Sequence, residues 1–307
     1  MPRCGGIEFA ATLPPMSYWM LPLILLVAVA RTWRVTTAQR VAADYAARFS
    51  SGEAGGAVAG AEGFTLTSTG ERALLLLHGS GDTPQTLRYL GERLQAAGYT
   101  VHAPLLPGHG RSPTAFASVS AAEYIGAARD GLDLLRRESA WIGVVGLSMG
   151  GALGVQLAAE SSDVRALVLL APYLIPPRFV RWVARTSWGW GVLLPFVAGR
   201  GAASVHDAAA GAESRAYGVF SPSAMRALVA TAAAGRRALA SVAVPVLVIN
   251  SREDNRIPAA LAEEALTTLR APAERHWVAG CGHVITVDYC KDTVAELVLA
   301  FLERQPR

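Results

Sequence analysis

Four consecutive leucines, Leu74-Leu75-Leu76-Leu77, limit what this chain can become. A short run that is apolar at every position, without in–out alternation, is the pattern of a strand covered on both faces, and such strands belong to parallel sheets wrapped by helices. Strand-type runs fall at residues 64–67, 73–77, 100–102, 141–145, 166–170, 246–249 and 275–278. Helical patterns fall between them, near 85–97, 121–137, 150–160, 258–269 and 291–303. Strand and helix in alternation predict an α/β fold with a mostly parallel central sheet flanked by helices.

The alternation breaks between Tyr173 and Ser223. That stretch contains RFVRWVARTSWGWGVLLPFVAG, with three of the seven tryptophans and no strand candidate. It is too long for an ordinary connection, so a helical cap inserted over the sheet edge at about 173–223 is predicted. A membrane contact, suggested by its amphipathic character and by Arg178, Arg181 and Arg185, ranks second.

Before the first strand lies an uncharged run from Leu13 to Ala30, LPPMSYWMLPLILLVAVA. It is near the lower length limit for a bilayer span, and Pro14, Pro15 and Pro22 weaken it as a helix. Tyr18, Trp19 and Trp33 sit where interfacial aromatics belong. A signal peptide cut after Ala28-Val29-Ala30 would want more basic residues ahead of the run than Arg3, and an early start codon is a third reading. We read residues 1–49 as an N-terminal apolar helix that anchors the protein in a membrane. Residues 50–63 (SSGEAGGAVAGAEG) read as a linker and 64–307 as the main domain. Arg31, Arg34 and Arg40 would put that domain on the cytoplasmic side. A soluble cytoplasmic or a secreted protein is the alternative.

Composition narrows the partners. The chain is 52% hydrophobic and 17% charged, with a net charge of +4 that is nearly all arginine, Lys291 being its one lysine. The arginines are spread thinly, without a basic cluster interleaved with aromatics, so no nucleic acid is expected. Cys4, Cys281 and Cys290 are too few and too uneven for a disulfide framework and read as unpaired small apolar residues. Cys281, His283 and Cys290 lack a nearby fourth ligand, so no metal is expected.

Gly146-Leu147-Ser148-Met149-Gly150 matches G-x-S-x-G, a string that chance would supply roughly 0.2 times in such a chain. Its context carries the weight: a strand candidate precedes it and a helix opens at Gly150. A residue between them must turn sharply, and any Cβ two positions to either side would crowd that turn, hence Gly146 and Gly150. The turn lifts the Ser148 hydroxyl clear of the sheet edge at the positive end of the helix. A serine hydroxyl is a poor nucleophile and needs a base, itself oriented by a carboxylate. In this architecture the order is serine, acid, histidine. His206 falls in the cap and His276 inside a strand pattern, which leaves His283 in Gly280-Cys281-Gly282-His283. The carboxylate should follow the strand at 246–249. Asp254 is preferred over its neighbour Glu253 for its shorter side chain, while Asp288 and Asp292 lie too far along the chain. The oxyanion of an acyl-transfer intermediate needs two backbone donors, expected at the N–H of Met149 and of Ser80. His78, ahead of the serine, should shape that second turn.

Leu76-Leu77-His78-Gly79, Leu106-Pro107-Gly108-His109-Gly110-Arg111-Ser112, the Ser148 pentapeptide, Arg252-Glu253-Asp254 and His283-Val284-Ile285-Thr286-Val287-Asp288 together resemble the monoacylglycerol lipase and bacterial carboxylesterase branch of the α/β-hydrolases. The resemblance runs from about residue 64 to the C-terminus. It implies an α/β-hydrolase fold and hydrolysis of small carboxylic esters or monoglycerides without a cofactor. It carries the catalytic roles onto Ser148, Asp254 and His283 and the oxyanion roles onto Ser80 and Met149. Ser80 departs from the pattern, since such esterases often carry a bulky apolar residue there, and the N-terminal extension has no counterpart in the compact bacterial members. Trp182, Trp188, Trp190, Leu193, Leu194 and Phe196 of the cap are expected to line an acyl pocket, where each buried methylene contributes about 0.8 kcal/mol. An acyltransferase or thioesterase using the same residues, and a catalytically silent binding protein of this fold, are the other readings. A haloalkane dehalogenase would need a carboxylate where Ser148 stands.

Overall fold

A computed structural model describes residues 17–49, 56–199 and 204–306 of the chain, and for residues 17–19 the backbone alone. In chain order the elements are α1 (Ser17–Arg48), β1 (Phe64–Leu66), β2 (Arg72–Leu77), α2 (Arg88–Ala96), β3 (Thr100–Ala103), α3 (Pro113–Phe116), α4 (Ala121–Leu135), β4 (Trp141–Leu147), α5 (Met149–Glu160) and β5 (Val164–Leu170). There follow α6 (Arg178–Trp190), β6 (Val197–Ala198), α7 (Ala208–Glu213), β7 (Val219–Phe220), α8 (Pro222–Ala238), β8 (Val246–Ser251), α9 (Ala259–Ala265), β9 (Ala273–Val278) and α10 (Lys291–Glu303).

Seven strands form one sheet in the order β1-β3-β2-β4-β5-β8-β9, parallel throughout except for β1 against β3. The leucine run shows why the sheet is buried on both sides. Successive side chains of a strand point to opposite faces. Leu75 and Leu77 therefore join Val144, Leu167, Leu169 and Val248 beneath residues of α4, α5 and α8. Leu74 and Leu76 join Val145, Leu147, Val168 and Leu170 against α2 and α10. Local chemistry starts the helices: Ser120 and Glu123 form a capping box ahead of α4, and the Ser221 hydroxyl accepts the Ala224 N–H with Pro222 in the first turn of α8.

From β2 the chain first builds β3 on one side and then crosses to β4 on the other. The loops after β2 and β4 consequently diverge, and a crevice at the carboxyl ends of the strands opens where the strand order reverses.

The cap departs from expectation in two ways. It contains a short antiparallel pair, Val197↔Phe220 and Ala198↔Val219, where no strand was expected, because two-residue strands are too short to show a period. Its last helix, α8, runs on to Ala238 and packs its Ala227, Leu228 and Ala232 into the core, so it serves the sheet as much as the cap. Residues 50–55 of the expected linker lie outside the described residues. Residues 56–63 lie against the domain: Val58 donates its N–H to Gly110 at 2.6 Å, and Val58 and Ala61 are buried with Tyr45, Phe49, Phe116 and Tyr217.

Tyr217 ties three segments together. Its hydroxyl accepts the Arg111 N–H at 3.0 Å and donates to the Gly108 carbonyl at 2.7 Å, while its own N–H donates to Gly81 at 3.0 Å. Removing the hydroxyl breaks two hydrogen bonds in a part-buried site, at a cost of about 1 kcal/mol. Tyr217→Phe should lower the thermal midpoint accordingly, and an unchanged melting curve would show that water replaces both bonds.

Candidate active site

Strand β4 is buried at every residue, and the chain reverses from it into α5 at Ser148. Ser148 has φ 55° and ψ −113°, a backbone conformation that L-residues seldom adopt. The neighbours permit it because they lack side chains. A Cβ on Gly146 would lie 2.3 Å from the Gly150 carbonyl oxygen, and one on Gly150 would lie 1.9 Å from that of Leu77. The turn is held by Ser148 N–H to Leu170 at 2.9 Å and by the Ser148 carbonyl, which accepts from Gly151 and Tyr173, each at 3.0 Å.

The segments after β8 and β9 bring the other two predicted residues to this hydroxyl. His283 Nε2 lies 2.8 Å from Ser148 Oγ, and His283 Nδ1 lies 2.7 Å from Asp254 Oδ2. The Asp254 side chain is 2% exposed and that of His283 8%. The other Asp254 oxygen accepts the N–H groups of Arg256 (2.7 Å) and Ile257 (2.9 Å). Burial alone would raise the Asp254 carboxyl, but the facing imidazole and these two N–H groups outweigh it and hold the carboxyl below its ordinary range. Glu253 turns elsewhere: its Oε2 accepts the Gly280 N–H at 3.0 Å. His276 lies on β9 near Glu274, and His206 donates its backbone N–H to Asp288, so neither meets Ser148. A Ser–His–carboxylate chain of this geometry can deprotonate the serine and stabilise the imidazolium that results.

The loop after β2 runs alongside, with a Cβ on Gly79 reaching within 3.4 Å of the Ser148 Cβ. Ser80 lies in it with its hydroxyl buried and without a hydrogen-bond partner, and Met149 is buried at the start of α5. Two histidines brace the loop. His78 Nε2 accepts the Leu106 N–H at 3.1 Å, and His109 Nε2 accepts the Gly81 N–H at 2.9 Å. Each ring places Nδ1 beside a carbonyl, Gly79 for His78 and Pro107 for His109, so each is the neutral Nδ1–H tautomer. Burial enforces this, pushing His78 well below its ordinary value and His109 to about 4. His78 stands at the turn it was expected to shape, and the one sequence signal for His109 is the second His-Gly, in Pro107-Gly108-His109-Gly110.

Three features had no clear signal in the sequence. Cys281 and Cys290 form a disulfide, correcting the expectation that they are unpaired, because the turn between them brings their Cα atoms to 5.9 Å; Cys4 lies outside the described residues. Asp288, dismissed as too far along the chain, is fully buried and accepts four N–H groups, from His206, Asp207, Gly282 and Tyr289. Burial opposes its ionisation, but those four bonds prevail and keep its carboxyl low. Asp82 is buried beside the loop, with Oδ1 accepting the Thr83 N–H and Oδ2 the Thr86 hydroxyl, both at 2.8 Å.

The chain is similar to known proteins along most of its length. A family model described as "Alpha/beta hydrolase family" matches residues 74–297. The chain belongs to that family. It is 26% identical to a carboxylesterase of Bacillus subtilis over 76% of this chain and 94% of the relative. It is likewise 26% identical to a thermostable monoacylglycerol lipase of Bacillus sp., over 80% and 96%. A solved structure described for LipS and LipT, two metagenome-derived lipolytic enzymes, superposes with a TM-score of 0.74 at 27% identity, covering 80% of this chain and 99% of that one.

The cap's apolar residues are not arranged as expected. Helix α6 buries Ala184 and Ser187, while Trp182 and Trp188, with Leu193 and Leu194 just beyond, are exposed rather than turned inward. A cleft of about 420 Å³ opens between α1 and the cap, lined by Arg34, Ala38, Trp188, Val192, Phe196 and Arg226, and Ser148, Asp254 and His283 do not border it.

Asp82 supplies a pH test. Burial, against the Thr86 and Thr83 hydrogen bonds, raises its carboxyl from 3.8 to about 6. A raised folded-state value means the folded protein binds the proton more tightly, so this group costs stability as pH rises from 3.8 to about 6, to the extent of about 3 kcal/mol. Asp82→Asn keeps an oxygen for the Thr83 N–H, and its amide can donate to Thr86 Oγ1, which still has the Thr83 carbonyl as acceptor. The variant should melt higher than the wild type at pH 8, with the gain vanishing near pH 4. His78 and His109 lose stability on acidification, but equally in both proteins. A gain independent of pH would refute the assignment.

Proposed function

We propose that the chain is a serine hydrolase of carboxylic esters, monoglycerides or small acyl esters, working through an acyl-enzyme on Ser148. The observation that carries the reading is the continuous hydrogen-bonded chain from Ser148 Oγ through the His283 ring to Asp254 Oδ2, at the carboxyl edge of a sheet whose relatives are named as esterases and lipases. His283 takes the Ser148 proton as Oγ attacks the ester carbonyl. Asp254 keeps Nδ1–H pointed at itself and stabilises the imidazolium. The N–H groups of Met149 and Ser80 receive the oxyanion, with α5 directing its positive end at the same point. His283 then protonates the departing alcohol, and a water deprotonated by the same ring releases the acid and frees Ser148.

Ser148→Ala should remove ester hydrolysis by several orders of magnitude and leave the fold intact, and covalent labelling of that variant by a fluorophosphonate probe would overturn the nucleophile. Asp254→Asn should cripple turnover by about 10⁴-fold, whereas Glu253→Gln should keep most activity, since Glu253 holds Gly280 rather than the imidazole. The reverse order would exchange their roles.

The enzyme is held at a membrane by α1. Among the described residues this is the one helix long and apolar enough to cross a bilayer, and Leu21, Leu23, Ile24, Leu25 and Leu26 stand exposed on it. The cap supports the same reading. Its exposed Phe179 and Trp182 stack beside Arg178, Arg181 and Arg185, the mixture that suits the headgroup boundary, and Trp188 borders the cleft shared with Arg34 of α1. Full-length protein should stay with the membrane fraction after an alkaline wash. Uncleaved full-length protein in the soluble fraction would remove the anchor.

A further inference from the structure

The loop that carries His283 is held at each residue from 280 to 284, and one of the holds is covalent. Gly280 donates to Glu253 at 3.0 Å, the Cys281 carbonyl accepts from the Ser251 hydroxyl, Gly282 donates to Asp288 at 2.7 Å and Val284 donates to the Ser204 carbonyl at 3.0 Å. Gly280, at φ +77°, takes a left-handed conformation that glycine adopts without a Cβ penalty. Cys281 is bonded to Cys290, the residue that opens α10. That helix sinks Val294, Ala295, Val298, Phe301 and Leu302 into the core. The disulfide thus fastens a glycine-flanked loop to a rigid element, with His283 inside the closed ring of residues 281–290.

Two short hydrogen bonds on opposite edges of one imidazole demand that its backbone stay within a fraction of an ångström. An error of about 1 Å in a catalytic group can cost a factor of 10² in rate. We propose that the Cys281–Cys290 disulfide is a positioning element for His283, and that the enzyme becomes fully active only after an oxidant has closed it. The inference rests on the hydrolase reading above. Closure proceeds by exchange with a protein disulfide: the two cysteine thiols lose two electrons and two protons to form the S–S bond, and the oxidant leaves as a dithiol. Such bonds form and persist outside the reducing cytoplasm. The clamp therefore assigns the hydrolase domain to the outer side of the membrane, opposite to the side that Arg31, Arg34 and Arg40 indicate.

The test uses the full-length protein, oxidised and then reduced with a phosphine, the reduction being verified by alkylating the thiols. Reduction should lower both kcat for a p-nitrophenyl ester and the rate of fluorophosphonate labelling by about tenfold, with KM hardly changed. Oxidised glutathione should restore both. Cys281→Ala/Cys290→Ala should behave as the reduced protein and not be rescued. A bond that serves stability alone would lower the melting temperature and leave kcat untouched well below it. Equal kcat in the two redox states, with the reduced protein still folded by circular dichroism, would overturn the clamp. Absence of labelling in both states would overturn the hydrolase reading and the clamp with it. In source cells lysed into an alkylating agent, Cys281 and Cys290 should remain unalkylated, and their modification would overturn the outer location.

Discussion

The candidate site depends on holding Ser148 in a backbone conformation that L-residues seldom adopt, and Ala171, next to the Leu170 that bonds to it, shares a positive φ. A positive φ at Ser148 costs on the order of 1–3 kcal/mol. Three backbone hydrogen bonds, to Leu170, Gly151 and Tyr173, hold it there at about 1 kcal/mol each, so the strain and its restraint nearly balance. What decides the matter is space. Gly146 and Gly150 touch backbone where a Cβ would stand, and the carbonyl of Leu77 closes in from the neighbouring strand. The turn is thus a property of β2 and β4 packed side by side, and their buried apolar faces hold it shut.

The same packing sets the electrostatics. Burial pushes His78 and His109 toward neutrality, and neutral rings are what the loop needs, because each must offer a bare Nε2 to a backbone N–H. Asp254 and Asp288 go the other way. Both are buried, yet both stay low because N–H groups, joined for Asp254 by an imidazole, replace the water they lost. Asp82 has one N–H group and one hydroxyl, too few, and its carboxyl rises. One buried environment produces opposite outcomes according to how many donors converge on each group.

The outer surface obeys a different logic. The cap displays Phe179, Trp182 and Trp188 outward, near a helix whose apolar window is 0% buried. A bilayer would satisfy both at once, and an ester that partitions into it would meet the enzyme where it concentrates.

Much of this was legible in the residues. All seven strands of the main sheet fall at expected runs; the inner strands β2, β4, β5 and β8 are almost continuously apolar because burial on both faces leaves little room for polar positions, whereas β1, β3 and β9 carry polar residues, and Lys291–Glu303 appears from its period alone. Ser148, with Gly146 and Gly150, was legible because its chemistry is local: a sharp turn needs absent side chains within two residues. Asp254 and His283 were reachable by order along the chain, since strands that follow one another end at the same sheet edge. The Cys281–Cys290 bond, the four donors on Asp288, the outward cap and the packing of residues 56–63 were decided by tertiary structure alone. Each depends on segments distant in sequence, or on a turn whose path no period encodes, arriving at one point in space, and the energy that fixes them exists only once the sheet has closed its core.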